Sequence, residues 1–101
     1  MINSILNAQL GEIRSLLKQK KVKKAYLFGS VCTDKFGKES DVDLLISFLD
    51  GLSPIEYGNL WWELYFSLED LLHHKIDLVT EGTIKNPYLL MEIEKTKQEI
   101  L

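Results

Sequence analysis

The sequence holds a single cysteine, Cys32, so no disulfide can form within the chain. Without a disulfide framework the expected setting is the reducing cytoplasm. No apolar run approaches the roughly 20 residues that a bilayer-spanning helix needs. The start, Met1-Ile2-Asn3-Ser4, lacks the basic and apolar regions of a signal peptide. A membrane role is therefore not expected. An excess of positive charge is also missing. The net charge is −3, which argues against a domain whose main task is to grip nucleic acid. Repeats, low-complexity tracts and linkers are absent as well. What remains is an ordinary globular balance, 46% hydrophobic and 27% charged. It suits one core and a single domain over residues 1–101.

Apolar periodicity sets the expected elements. Ile2, Leu6, Leu10, Ile13 and Leu17 recur at three- and four-residue steps, as on one face of a helix. Gly11 lies inside that pattern at a cost of about 1 kcal/mol against alanine. Lys18, Lys20, Lys21, Lys23 and Lys24 then crowd the end of the helix. Cations complement the helix dipole there; a phosphate or RNA contact is the competing reading. Residues 24–28 and 42–48 read as strands joined by a polar loop with room for one helical turn. Ser53, Pro54 and Glu56 form the start of a long helix, with a serine cap, proline at the first position and a capping-box glutamate. That helix should run to about His73. Residues 75–79 read as a third strand. Asn86-Pro87 opens a last helix whose apolar side is Leu89, Leu90, Ile93 and Ile100. The expected fold class is α/β (α+β): a small mixed sheet of about three strands flanked by about four helices. The first two strands should run antiparallel. The crossover helix should make the second and third parallel neighbours.

One constellation carries chemistry. Gly29-Ser30 is followed, ten residues later, by Asp41-Val42-Asp43. Residues two apart in a strand share a face, so Asp41 and Asp43 present two carboxylates together. Such a pair repels itself and is costly to bury unless something compensates. A divalent cation does so, and Mg²⁺ commonly shares carboxylates with substrate phosphates. Gly29 lets the backbone turn sharply and approach a ligand, and Ser30 adds a hydroxyl, so this pair is a candidate phosphate grip. Asp77 in the third strand is the third carboxylate, able to lie beside Asp43 if the strands are parallel. Three carboxylates around two metal ions suit an in-line nucleotidyl transfer. Four residues at these spacings arise by chance in roughly one chain in 10³ of this length.

These residues resemble the signature of the DNA polymerase β-like nucleotidyltransferase superfamily. The runs Leu27-Phe28-Gly29-Ser30, Ser40-Asp41-Val42-Asp43-Leu44-Leu45 and Lys75-Ile76-Asp77-Leu78-Val79 are similar to its minimal prokaryotic branch, the MNT proteins. The resemblance covers about residues 20 to 100. It implies the nucleotidyltransferase fold, Mg²⁺ at Asp41, Asp43 and Asp77, and ATP near Gly29 and Ser30. It also implies an antitoxin role, in which AMP passes from ATP to a tyrosine hydroxyl of a HEPN-domain toxin. Asp77 would then help deprotonate the acceptor. The chain departs from the branch in one place. Many relatives carry arginine directly after Gly-Ser, whereas here Val31-Cys32-Thr33-Asp34-Lys35 follows. Lys35 or Lys38 is the nearest available cation.

Other residues carry milder expectations. Cys32 reads as a small space-filling residue of the loop. His73 and His74 suit a helix C-terminus better than a metal site. In the long helix, Tyr57, Trp61, Leu64, Leu68, Leu71 and Leu72 share a core face, while Ile55, Trp62 and Phe66 fall nearly opposite. That second apolar side implies a protein interface, with a partner or a second copy. Two alternatives to an active transferase stand beside it. One is a binding subunit that neutralises a partner by contact. The other is the nucleotide-binding subunit of a two-component transferase.

Overall fold

The computed structural model describes residues 4–33, 36, 37 and 39–101. Ile2 and the loop residues Asp34, Lys35 and Lys38, on which parts of the sequence reading fall, lie outside the described residues. Two helices, α1 (Ser4–Ala8) and α2 (Leu10–Gln19), precede strand β1 (Val22–Phe28). A 3₁₀ turn (Gly29–Cys32) leads toward β2 (Val42–Phe48). Helix α3 (Pro54–Leu72), strand β3 (Ile76–Thr80), helix α4 (Pro87–Thr96) and a two-residue strand β4 (Gln98–Glu99) complete the order. The sheet order is β3-β2-β1-β4. β1 and β2 are antiparallel, and β2 and β3 are parallel across α3.

Alternation along the strands divides the sheet into two faces. Leu27, Val42, Leu44, Ile46, Ile76 and Leu78 point to one face, where α2 and α3 bury Ile13, Leu17, Leu64 and Leu68. A register shift between Val22 and Lys24 puts Val22 and Ala25, three apart, in that same core. The other face is thinner. Phe28 and Leu45 meet Ile93 of α4, with Tyr26, Val79, Ile84 and Leu89 packed around them. Asp43 and Asp77 lie two residues before Leu45 and Val79 along β2 and β3, so both belong to the same α4 face.

The caps explain where α3 and α4 begin. Ser53 Oγ accepts the Glu56 N–H at 3.1 Å, and the Glu56 carboxylate accepts back from the Ser53 backbone. Asn86 Oδ1 accepts the Tyr88 N–H at 2.9 Å. Each cap satisfies a backbone donor that the first helical turn leaves unpaired. α3 ends at His73, left-handed at φ 55°, which returns its N–H to Glu69 O at 2.9 Å.

The structure corrects several expectations. The first helix is broken at Gln9, and Gly11 falls in the first turn of α2, where a glycine costs little. β1 starts at Val22, so Lys23 and Lys24 are strand residues rather than a helix end. Among the described residues the sheet has four strands. Ile100 is not on α4 but follows β4, buried, with its N–H bonded to Ala25 O at 2.9 Å. Arg14 Nε donates to Ile100 O at 2.7 Å and fastens this last segment to α2. Leu90 is exposed, because α4 covers the sheet with Leu89 and Ile93 alone.

The two sides of α3 differ as their sequence pattern implies. Leu64 and Leu68 are fully covered, whereas Ile55, Trp62 and Phe66 are 78%, 55% and 57% exposed. Leu64→Ala should therefore cost about 2–5 kcal/mol in urea unfolding, while Phe66→Ala should cost under about 1 kcal/mol. Equal losses at the two positions would contradict the assignment of faces.

Candidate active site

The site forms where β1 ends and β2 and β3 begin. In the sheet register Phe28 faces Asp43, and Asp43 faces Asp77. Neighbouring strands lie about 4.8 Å apart, so these two carboxyl groups rise side by side on the α4 face. Asp41 sits immediately before β2, partly buried, as does Asp43 within it, and Asp77 is exposed.

Gly29 is tied to Asp43 by shape. Its φ is +74°, a region that side chains disfavour, and a Cβ added there would collide with Asp43 Oδ2 and lie 3.3 Å from its Cγ. The carboxylate thus packs directly on the glycine backbone. The Gly29 N–H is already engaged, donating to Thr96 Oγ1 at 2.8 Å. Gly29 therefore supplies room for Asp43 while its N–H is held by α4. Ser30, next in the turn, is partly buried, and its carbonyl accepts from the Thr33 N–H at 3.0 Å and the Thr33 hydroxyl at 2.9 Å.

Burial pushes the Asp43 carboxyl up to about 6 from an ordinary 3.8, with further upward pressure from Asp77, Asp41 and Glu92. Among the described residues, every charge acting on it is negative. Such a set of crowded carboxylate oxygens fits a hard divalent ion such as Mg²⁺. Among the described residues, no three His, Cys, Asp or Glu side chains are gathered closely enough to hold an ion by themselves. Asp41, Asp43 and Asp77 would share its shell with phosphate oxygens and water, as Mg²⁺ sites commonly do.

Three supporting residues escaped the sequence reading. Thr96 fixes Gly29 from α4 while its own hydroxyl donates to Glu92 O at 2.9 Å. Glu92, one turn earlier on α4, adds its charge to the cluster. His74 holds the loop end through Nδ1, 3.0 Å from Ser40 O, and its ring lies 4.9 Å from Phe36. A carbonyl only accepts, so Nδ1 carries the proton. Spacing alone could not show these links, because they bring residues 34 and 67 positions apart into contact.

The remaining candidates serve structure. Cys32 is buried, its thiol donates to Leu27 O at 3.3 Å, and burial raises its pKa, which disfavours a reactive thiolate. Lys20, Lys21 and Lys24 bond Glu63, Glu56 and Glu99 at 2.7–2.9 Å, and Lys23 reaches Asp50 at 4.0 Å. Paired this way, most of the lysine cluster faces acids of its own chain rather than a phosphate backbone.

A strand-turn-strand with paired carboxylates is a frame that suits metal-assisted nucleotidyl transfer. The family pattern described as "Polymerase beta, Nucleotidyltransferase" matches residues 11–101. The chain belongs to that family and is a nucleotidyltransferase. A protein of Methanocaldococcus jannaschii named "Putative protein adenylyltransferase" is 39% identical over 83 residues, 81% of each chain. Another protein of that organism and name is 35% identical over 94 residues, 85% of this chain and 92% of its own. Among solved structures, one described as "Structure of putative minimal nucleotidyltransferase" superposes with TM-score 0.72 at 26% identity, covering 97% of this chain and 95% of its own. Another, described as "Crystal structure of the toxin-antitoxin with AMP-PNP", gives TM-score 0.70 at 26% identity, covering 91% and 72%.

The raised Asp43 pKa has a consequence for stability without metal. The folded chain holds this proton to about pH 6, whereas the unfolded chain releases it near 3.8. Stability from this group is full below about pH 4 and is lost as pH rises through 6. Asp43→Asn removes that penalty. In EDTA the variant should be more stable than wild type by about 1–2 kcal/mol at pH 7.5, with the gap closing below pH 4. Thermal melts across that range check it; a wild type as stable as the variant at pH 7.5 would contradict the crowding.

Proposed function

We propose that the chain transfers AMP from ATP to a protein hydroxyl, as the antitoxin partner of a HEPN-domain toxin. The observation that carries this reading is the pairing of Asp43 with Asp77, with Asp43 seated on Gly29. An anionic cluster thus lies beside Gly29-Ser30, where the resemblance implies a nucleotide. Support for the nucleotide comes from the similar toxin–antitoxin structure described with AMP-PNP, an ATP analogue. Support for a protein acceptor comes from the relatives named for protein adenylyl transfer. A cytoplasmic setting, where ATP and Mg²⁺ are abundant, agrees with it.

In this reading the acceptor oxygen attacks the α-phosphorus and the α–β bridging bond breaks. Pyrophosphate leaves with the bond's electron pair, and Asp77 takes the acceptor's proton. Asp41 and Asp43, with Asp77, would hold up to two Mg²⁺ ions, which supply charge neutralisation on the phosphates. Thr96 and His74 keep the two sides of the turn in place. Ser30, next to Gly29 in the turn, would help to steady the phosphates.

A second reading has its own observation. The exposed aromatic run of α3, in which Trp62 and Phe66 stack at 5.6 Å, suits a subunit that neutralises its partner by contact alone. The same surface would serve a second copy of the chain. One experiment separates the readings: the chain, Mg²⁺, ATP labelled at the α-phosphate and a HEPN-domain protein are combined. Transfer predicts label on that protein, lost with EDTA and in the Asp41→Asn, Asp43→Asn double variant. Tight complex formation without label from any nucleotide would sink the transfer reading in favour of contact.

A further inference from the structure

Asp43 rests on a residue whose backbone is free to move. Glycine passes between left-handed and right-handed conformations at little cost. Gly29 sits at φ +74°, with the Asp43 carboxylate packed where a Cβ would be. A rotation of the Gly29 peptide would take that seat away, and Ser30 would move with it.

One side chain removes the freedom. Gly29 is buried, and its N–H donates to Thr96 Oγ1 at 2.8 Å. The direction of this bond is fixed from both sides. The Thr96 hydroxyl gives its only proton to Glu92 O, 2.9 Å away, because a carbonyl can only accept. Its oxygen therefore turns its lone pairs to Gly29, whose amide can only donate.

The end of α4 is itself fastened to β1. After Thr96, the Lys97 N–H bonds Ile93 O at 2.8 Å, and the Ile100 N–H bonds Ala25 O at 2.9 Å. Between them Gln98 and Glu99 pair with Leu27 and Tyr26. The Lys97 ammonium lies 5.0 Å from the centre of the Tyr26 ring. The residue that holds Gly29 is thus anchored to the strand that ends at Gly29.

We propose that Thr96 is a positioning residue for nucleotidyl transfer, its hydroxyl fixing the Gly29 peptide in the orientation that seats the Asp43 carboxylate. The reaction it serves rests on the transfer reading above; the geometry rests on the hydrogen bonds alone. A hydroxyl is needed and the methyl group is not, so serine can replace threonine and the isosteric valine cannot. Valine leaves the buried Gly29 N–H without its partner. The carboxylate then has room to swing, and a misplacement of about 1 Å can cost about 10²-fold in rate.

The test compares Thr96→Val and Thr96→Ser with wild type, below their melting temperatures. In Thr96→Val the Gly29 amide should exchange with deuterium about tenfold faster or more. Mg²⁺–AMP-PNP should bind about tenfold more weakly by calorimetry. The kcat for label transfer to the HEPN-domain protein should fall about tenfold or more, with the KM for that protein unchanged. Thr96→Ser should restore all three. A purely structural anchor would lower the melting temperature and leave the kcat and affinity of the folded chain untouched. That result would overturn the proposal, as would a loss in Thr96→Val that Thr96→Ser does not restore. If wild type transfers no label, AMP-PNP affinity still decides. Affinity weakened in Thr96→Val and restored in Thr96→Ser keeps the positioning role while the transfer reading fails; equal affinity in all three removes it. A wild type that binds no Mg²⁺–AMP-PNP removes both.

Discussion

Two carboxylates in register on adjacent strands repel each other, and a fold that places them there must hold them by force of packing. Asp43 and Asp77 are such a pair. The parallel register of β2 and β3 fixes their separation, and α3, as the crossover, fixes that register. On the other side Asp43 is pressed against Gly29, so the turn after β1 cannot accept a side chain without displacing it. The consequence is a carboxyl pushed up to about 6 and a local charge that a divalent cation would relieve.

The two sheet faces divide the labour. The face under α2 and α3 carries most of the buried apolar surface. The face under α4 carries a small cluster around Phe28, Leu45 and Ile93, leaving its end open for polar chemistry. α4 therefore has two jobs. Its inner side closes the small core and bonds the turn through Thr96, and its outer side stays apolar and exposed.

Much of this was legible in the residues. Ser53-Pro54-x-Glu56 announced α3 because capping chemistry is local, and strand alternation announced β1 to β3 because burial repeats every second residue. The side-by-side placement of Asp43 and Asp77 was legible because strand alternation and a parallel crossover together imply it. β4 was not, because its two residues form a strand only through pairing with Tyr26 and Leu27, far away in sequence. Ile100 was misplaced for the same reason: at helical spacing it mimics a continuation of α4. The bond from the Gly29 N–H to Thr96 was not legible, because α4 brings the two together from 67 positions apart. Long-range contacts of this kind leave no periodic trace.

The account depends most directly on Asp43 being crowded without cation and relieved with it. Carbon-detected NMR titration of the aspartate side chains, with Asp43 assigned by comparison with Asp43→Asn, measures this. In EDTA the account predicts a midpoint of about 6 for Asp43, falling well below that when Mg²⁺ and AMP-PNP are added. A midpoint near the ordinary 3.8 in EDTA, unmoved by Mg²⁺ and AMP-PNP, would contradict it.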